Sequence, residues 1–337
     1  MQLFTLKRLI SLLLFTISTL GFTPMALCKD FLLLTGLGAE DPLMPLMEDL
    51  SQRIASKEGW MVETQSFESD GGILAAAKLS LSDPDGLTLA FLSLDTVETK
   101  SLLGHAPYRD EHFQPLVLGF ERGHALITHK NTPFASLSGI KLRVKEPMLL
   151  LTDDREPLST STLLALDIMD TLKIPVRLKQ IELPPEEMDG SDGERMYPGS
   201  NASYAEVFSN ATEGNLLALP LETLSYFQER RIPFVVVAIL TDHPQESPLY
   251  PDSAFLESSG LTLRIHDYHG FFYVSETLPR LMEDVPGFVR ESCLNQKYEG
   301  LPYMDPLLFG EEALDVFLVE RDRRAYLIRK AQEAKTR

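Results

Sequence analysis

Phe31-Leu32-Leu33-Leu34 is a short apolar run that stops at Thr35-Gly36, the pattern of a buried strand. Apolar residues then recur at Leu43, Leu46, Met47, Leu50 and Ile54, which predicts an amphipathic helix. Trp60-Met61-Val62 opens a second strand and Ile73 to Leu81 reads as a second short helix. The turn Pro84-Asp85-Gly86 leads into a third strand, Leu87 to Leu92. The order β-α-β-α-β predicts an α/β fold with a mostly parallel sheet.

The pattern recurs in mid-chain. Met148 to Leu151 reads as a strand, Thr162 to Leu172 as a helix and Val176 to Ile181 as a strand. Phe234-Val235-Val236-Val237-Ala238-Ile239-Leu240 is the most strongly β-branched run and predicts a central strand. Glu311 to about Ala334 reads as a closing helix, with apolar positions at Leu314, Val316, Phe317, Tyr326 and Leu327. Pro184 to Thr212 breaks the pattern. It sets Glu186, Glu187, Asp189, Asp192 and Glu194 among Gly, Ser, Asn and Pro, and is expected to be a solvated loop. It lacks the alternate-position ligand order of a calcium loop.

The N-terminus is a different kind of segment. Lys7 and Arg8 precede an apolar run from Leu9 to Phe22, and Pro24 and Ala26-Leu27-Cys28 follow. The run is short for a membrane span, which needs about 20 apolar residues. It reads as a secretory signal peptide over residues 1–28, cut after Cys28. Leu27 is bulky where a lipoprotein signal wants a small residue, so anchoring at Cys28 is the weaker reading. Cleavage leaves Cys293 as a single thiol, expected to be buried and inert.

The 337 residues suggest two domains. Lys plus Arg total 31 against 49 Asp plus Glu, a formal net charge of -18. That balance speaks against nucleic acid, whose binders need basic patches to displace counterions from phosphates. It speaks equally against charge-driven binding to anionic membranes.

Catalytic and cofactor motifs are missing from the sequence. It has no G-x-S-x-G elbow, no P-loop lysine and no H-E-x-x-H. Gly36-Leu37-Gly38 lacks the third glycine of a dinucleotide turn. His266-Asp267-Tyr268-His269 is a dense His/Asp cluster, but on a strand His266 and His269 would face opposite ways, so no metal site is expected. Three strand-to-helix turns remain: Gly36 to Asp41, Ser69-Asp70-Gly71-Gly72, and Ser159-Thr160-Ser161-Thr162. Helix N-termini present unpaired N–H groups and partial positive charge, which suits carboxylates.

These turns, in order, resemble those of the Bug-type receptors, the periplasmic substrate-binding proteins of tripartite tricarboxylate transporters. Thr35-Gly36-Leu37-Gly38-Ala39-Glu40 stands where that family has P-G-G-x-x-D. Ser69-Asp70-Gly71-Gly72-Ile73-Leu74-Ala75-Ala76 stands for G-A-G-G-x-x-G-A, and Pro84 to Leu89 for P-D-G-Y-T-L. Pro107 to Pro115 and Leu249 to Gly260 match two later elements.

The resemblance implies a two-lobed, type II-like Venus-flytrap fold. Lobe one would be residues 29–122 plus 234–337, and lobe two 123–233. It implies a ligand site formed by Gly36, Leu37, Gly38, Ala39 and Glu40, by Ser69, Asp70, Gly71 and Gly72, and by Ser93 and Thr96. From lobe two would come Ser159, Thr160, Ser161 and Thr162. It also implies a monomer that carries a small-molecule ligand, a carboxylate by family habit, to membrane permease subunits, with no cofactor and no catalysis.

Leu37 and Asp70 depart from the motifs. Glu40, Asp41, Glu68 and Asp70 would give an acidic rim, unfavourable to a carboxylate by Coulomb's law. A sensory or scaffold protein with a degenerate cleft is therefore the alternative. An exported hydrolase is the third reading; it would need a nucleophile with a positioned base.

Overall fold

The structure is a computed structural model. It describes residues 29–335 apart from 39–40, 42, 58–59, 68–70, 131, 133–134, 144–145, 184–199, 211, 213, 242–255, 257–258, 283 and 296–306. The chain opens with β1 (Lys29–Thr35), α1 (Met44–Ala55), β2 (Trp60–Ser66), α2 (Ile73–Ser80) and β3 (Thr88–Ser93). A π-helical turn, Asp95–Thr99, precedes β4 (Phe113–Gly119). Next come β5 (His124–His129), α3 (Leu137–Arg143), β6 (Met148–Asp153), α4 (Thr160–Thr171) and β7 (Val176–Ile181). They are followed by α5 (Asn201–Ser209), β8 (Asn215–Pro220), α6 (Thr223–Glu229) and β9 (Phe234–Leu240). β10 (His269–Val274), α7 (Val285–Asn295), β11 (Leu308–Phe309) and α8 (Glu311–Lys335) complete it.

The strands form two sheets, ordered β11-β4-β10-β3-β1-β2 and β7-β6-β8-β5-β9. The β-α-β cores are parallel, as their spacing predicts: β1 with β2 and β3, and β6 with β7 and β8. The other pairings are antiparallel, so each sheet is mixed rather than mostly parallel. The cause lies in the crossing between sheets. β4 runs toward it and β10 away from it; β5 runs away and β9 toward. Strands that leave and re-enter side by side must oppose each other.

Phe234–Leu240 departs from expectation in two ways. It pairs with β5 in the second sheet rather than starting the return to the first lobe at residue 234, and it lies at that sheet's edge. Its β-branched residues are nonetheless covered on both sides. Val237 and Leu240 join one core and Val236 and Ile239 the other, so both faces of this edge strand need apolar side chains. The segment expected as a solvated loop also holds a helix, α5. Ser200 caps it, accepting from the Ser203 amide at 3.2 Å, and Ser203, Val207 and Phe208 are buried.

α1 follows its apolar spacing, with Leu46, Met47, Leu50 and Ile54 buried. Burial of each such side chain is worth about 1.5–3 kcal/mol. α8, of 25 residues, is about 37 Å long at 1.5 Å per residue and spans both cores. Ala313 and Phe317 pack with Phe272 of the first sheet, and Leu327, Ile328 and Ala331 with Ile168 and Met169 of the second lobe. At its middle, Arg324 is fully buried against Glu98, Nε to Oε2 2.9 Å. Among the described residues no helix is long and apolar enough to cross a membrane.

Candidate functional site

The lobe-one turns meet at the carboxyl ends of parallel β1 and β3, where open α/β sheets commonly take ligands. Gly36 and Gly72 lie back to back: a Cβ on Gly36 would sit 2.5 Å from the Gly72 Cα. Thr96 Oγ1 donates to the Gly71 carbonyl at 2.6 Å and lies 3.0 Å from Ser93 Oγ, which accepts from the Thr96 amide. Thus Gly36, Gly71, Gly72, Ser93 and Thr96 are brought together, held largely by one another. Leu37 turns inward to the core beside Phe31, Leu46 and Phe91. Its carbonyl accepts from Ser66 Oγ at 2.5 Å. Gly38 forms the adjoining turn, its carbonyl accepting from the Asp41 amide at 3.1 Å. Asp41 Oδ1 in turn accepts from the Leu43 amide before α1. Ala39, Glu40, Ser69 and Asp70 lie outside the described residues, as do the signal segment and the acidic stretch 184–199.

In lobe two, Ser159 caps α4 through the Thr162 amide at 3.4 Å. The first-turn N–H groups of Thr160 and Ser161 have no intrahelical acceptor. The four residues point in different directions. Ser159 and Thr162 line a cavity with Thr152, Ser203 and Tyr204. Thr152 is 3% exposed and its hydroxyl has no hydrogen-bond partner among the described residues. Asp153 and Glu156 also line the cavity, but each carries a cation. Arg155 binds Asp153 through Nη2 at 2.7 Å, and Lys100 of lobe one binds Glu156. Thr160 reaches across to lobe one, its Oγ1 donating to Asp95 Oδ1 at 2.6 Å.

Ser161 joins an array absent from the motif reading. Its Oγ lies 2.8 Å from His124 Nδ1, and His124 Nε2 lies 2.9 Å from Asp267 Oδ2. Burial pushes the Asp267 carboxyl up, but the His124 bond and nearby His124, His269 and Arg122 charges outweigh it and hold it well below the usual carboxylate range. Serine, histidine and aspartate in series are the parts of a hydrolase. Here all three are buried, at 2%, 2% and 4% exposed, and none lines the cavity. They fasten β5, α4 and the segment entering β10. Of the dense cluster, His266 Nδ1 pairs with Glu320 at 2.7 Å while His269 stacks on Phe91. Cys293 is buried, its thiol pushed up to about 12 by burial and the nearby Asp49 charge.

Tyr204 marks where the parts converge. Burial raises its phenol, the Ser161 hydrogen bond and Arg122 charge oppose that, and Glu222 and Asp95 reinforce it. Arg122 belongs to the crossing after β4, Glu222 to the start of α6 and Asp95 to lobe one, so one phenol senses both lobes and the crossing.

No family model and no curated protein matches the sequence significantly. Solved structures do. A TctC solute binding protein from Polaromonas superposes with a TM-score of 0.63 at 14% identity, over 91% of this chain and 99% of that one. The periplasmic binding protein BugD gives 0.52 at 14%, over 90% and 97%. MatC from Rhodopseudomonas palustris, with bound malate, gives 0.51 at 15%, over 90% and 98%. The fold is that of a two-lobed periplasmic binding protein. In fold the chain resembles the TctC and Bug-type receptors that its ordered turns suggest.

In this binding-protein fold the cavity at the α4 N-terminus is lined wholly by lobe-two residues, one of which, Glu156, is held by Lys100 of lobe one. Motif reasoning found its serine and threonine rim. It missed Thr152, Ser203 and Tyr204, though the Ser200-x-x-Ser203 cap was a visible signal for the helix that carries two of them. It also missed His124, Asp95 and Arg122, which no local pattern distinguishes from ordinary strand and turn residues.

Proposed function

We propose that this chain is an exported solute-binding receptor, not an enzyme. It captures a small metabolite bearing a carboxylate between its lobes and delivers it, as a periplasmic monomer, to permease subunits of a tripartite tricarboxylate-type transporter. One observation carries the reading: the cavity at the α4 N-terminus is lined by Thr152, Ser159, Thr162, Ser203 and Tyr204, and the buried Thr152 hydroxyl lacks a partner among the described residues. A buried hydroxyl without a partner costs about 1–3 kcal/mol. A ligand oxygen offered to it, with the helix dipole behind it, removes that penalty. The malate bound to MatC supports the ligand class. The buried Ser161 supports a binding rather than a hydrolytic role.

A second reading is a sensory or scaffold protein with a degenerate cleft. It is favoured by the Asp95 carboxylate already sitting on Thr160. A thermal-shift screen of the purified protein against carboxylates, amino acids and neutral metabolites separates the two. A ligand at 100 times its dissociation constant adds about 2.7 kcal/mol to stability. A rise in melting temperature with small carboxylates, lost in Thr152→Val, is the expected result. A blank across all three classes sinks the receptor reading in favour of the second.

A further inference from the structure

The cavity at the α4 N-terminus has two unlike walls. The first is built by β6 and α4. Ser159 Oγ lies 3.2 Å from Thr162 Oγ1 and accepts from the Thr162 amide at 3.4 Å. The two hydroxyls hold two protons between them. Their mutual bond uses one and leaves the other. Buried Thr152 adds a hydroxyl without a partner among the described residues. This wall can donate to a ligand oxygen.

The second wall is α5, and its protons are spent. Ser203 Oγ donates to the Ser200 carbonyl at 2.9 Å. A hydroxyl has one proton, so Ser203 keeps only lone pairs to offer. The Tyr204 hydroxyl has one hydrogen-bond partner among the described residues, Ser161 Oγ at 3.5 Å. The far end of this chain of groups sets the direction of that bond. The Asp267 carboxylate only accepts, so His124 Nε2, 2.9 Å away, carries a proton. In the neutral ring Nδ1 is then an acceptor and takes the Ser161 proton across 2.8 Å. Ser161 has none left for Tyr204, so the phenol donates to Ser161 and keeps its lone pairs for the cavity that it lines. Asp153 and Glu156 add two carboxylates to the same lining. A plain carboxylate brings acceptors alone. It suits the first wall and leaves the lone pairs of the second unanswered, whereas an acid with an adjacent O–H or N–H answers both.

We propose that Ser203 and Tyr204 are specificity-determining residues of this cavity, and that they select carboxylates carrying a hydroxyl or ammonium group beside the acid over the same acid without it. This rests on the receptor reading above. It also assigns the Ser161–His124–Asp267 array a role beyond fastening: by fixing which way the Tyr204 proton points, it positions an acceptor at the cavity wall.

Isothermal titration of the purified protein with succinate, malate and aspartate tests it. The three share one diacid skeleton and carry hydrogen, hydroxyl or ammonium at one carbon. Wild type is expected to bind malate and aspartate about tenfold or more tighter than succinate, because a site built to hydrogen-bond a ligand group rejects the analogue lacking it. Tyr204→Phe and Ser203→Ala should each weaken malate and aspartate and leave succinate unchanged, narrowing that ratio. Ser161→Ala frees the phenol proton to turn toward the cavity, so succinate should gain several-fold while malate loses, a reversal that a merely structural role would not produce. Equal wild-type affinity for the three ligands overturns the proposal and leaves the receptor reading intact. So does a ratio unchanged in all three variants, or a loss shared equally by every ligand and tracking a lowered melting temperature. Binding of none of the three also overturns it, and the receptor reading falls with it only if the wider carboxylate screen is blank as well.

Discussion

Thr160 Oγ1 donates to Asp95 Oδ1 at 2.6 Å, and this bond crosses from the second lobe to the first. Lys100, 3.6 Å from Asp95, reinforces it by pairing with Glu156 on the far side. The chain thus closes part of its own cleft with an internal acid at a helix N-terminus, where an anion is favoured. On the proposed receptor reading, an anion entering there would compete with Asp95 for the Thr160 hydroxyl.

Opening of the latch should be visible. Combining Thr160→Val with Lys100→Ala removes both links. Small-angle scattering of the ligand-free variant should give a larger radius of gyration than wild type. An unchanged radius would mean that the remaining ties, α8 and the Ser161–His124–Asp267 chain among them, suffice to hold the lobes together.

The Glu98–Arg324 pair should behave as a buried ion pair. Both side chains are fully buried, and Arg324 Nη1 also donates to Thr99 Oγ1 at 3.2 Å. Arg324→Met leaves Glu98 buried beside Glu320 without its cation, at a cost of about 3–5 kcal/mol. Adding Glu98→Leu should recover most of that loss in chemical denaturation, because the desolvated charge is then gone.

Asp170 predicts a pH dependence. Burial acts to raise its carboxyl, but hydrogen bonds and charge from Lys330 and Arg323 prevail and bring it to about 2. A lowered carboxylate contributes stability above its unfolded value, and that contribution is lost as pH falls through the folded one. Lys330 is half exposed, so screening trims the effect to ~1–2 kcal/mol at neutral pH. Asp170→Asn should be that much less stable at pH 7. Its denaturation midpoint should converge on wild type between about pH 4 and pH 2.

The Gly36–Gly72 contact should tolerate no side chain. A methyl on Gly36 would press on backbone at 2.5 Å, and overpacking of this kind costs about 1–3 kcal/mol. Gly36→Ala should lower the melting temperature, whereas Ser93→Ala, which removes one hydrogen-bonding hydroxyl near the same turns, should cost about 1 kcal/mol. Equal stabilities for the two would mean that the turns adjust freely.

Much of the secondary structure was legible because it rests on local periodicity. The stripe from Leu46 to Ile54, the apolar run of β1 and the cap at Ser159 each act over a few residues. β9 was legible as a strand but not as an edge strand, since apolar burial on both faces looks the same with one paired edge or two. α5 was obscured by the acidic stretch before it, although Ser200 and Ser203 carried its cap.

By itself the sequence determined the opening β-α-β-α-β run, the mid-chain β6-α4-β7 unit, strand β9 and the closing helix, together with the serine and threonine rim of one helix terminus and the glycines of two turns. These follow from backbone preference and from burial repeating every two or 3.6 residues. The tertiary structure decided which polar groups meet. His124 and Asp267 are 143 positions apart, Thr160 and Asp95 are 65, and Arg122 and Glu222 are 100. Such pairings are specified by where the chain crosses between sheets. Hydrogen bonds and charges act over a few ångströms in space, and separation along the chain carries no record of that distance.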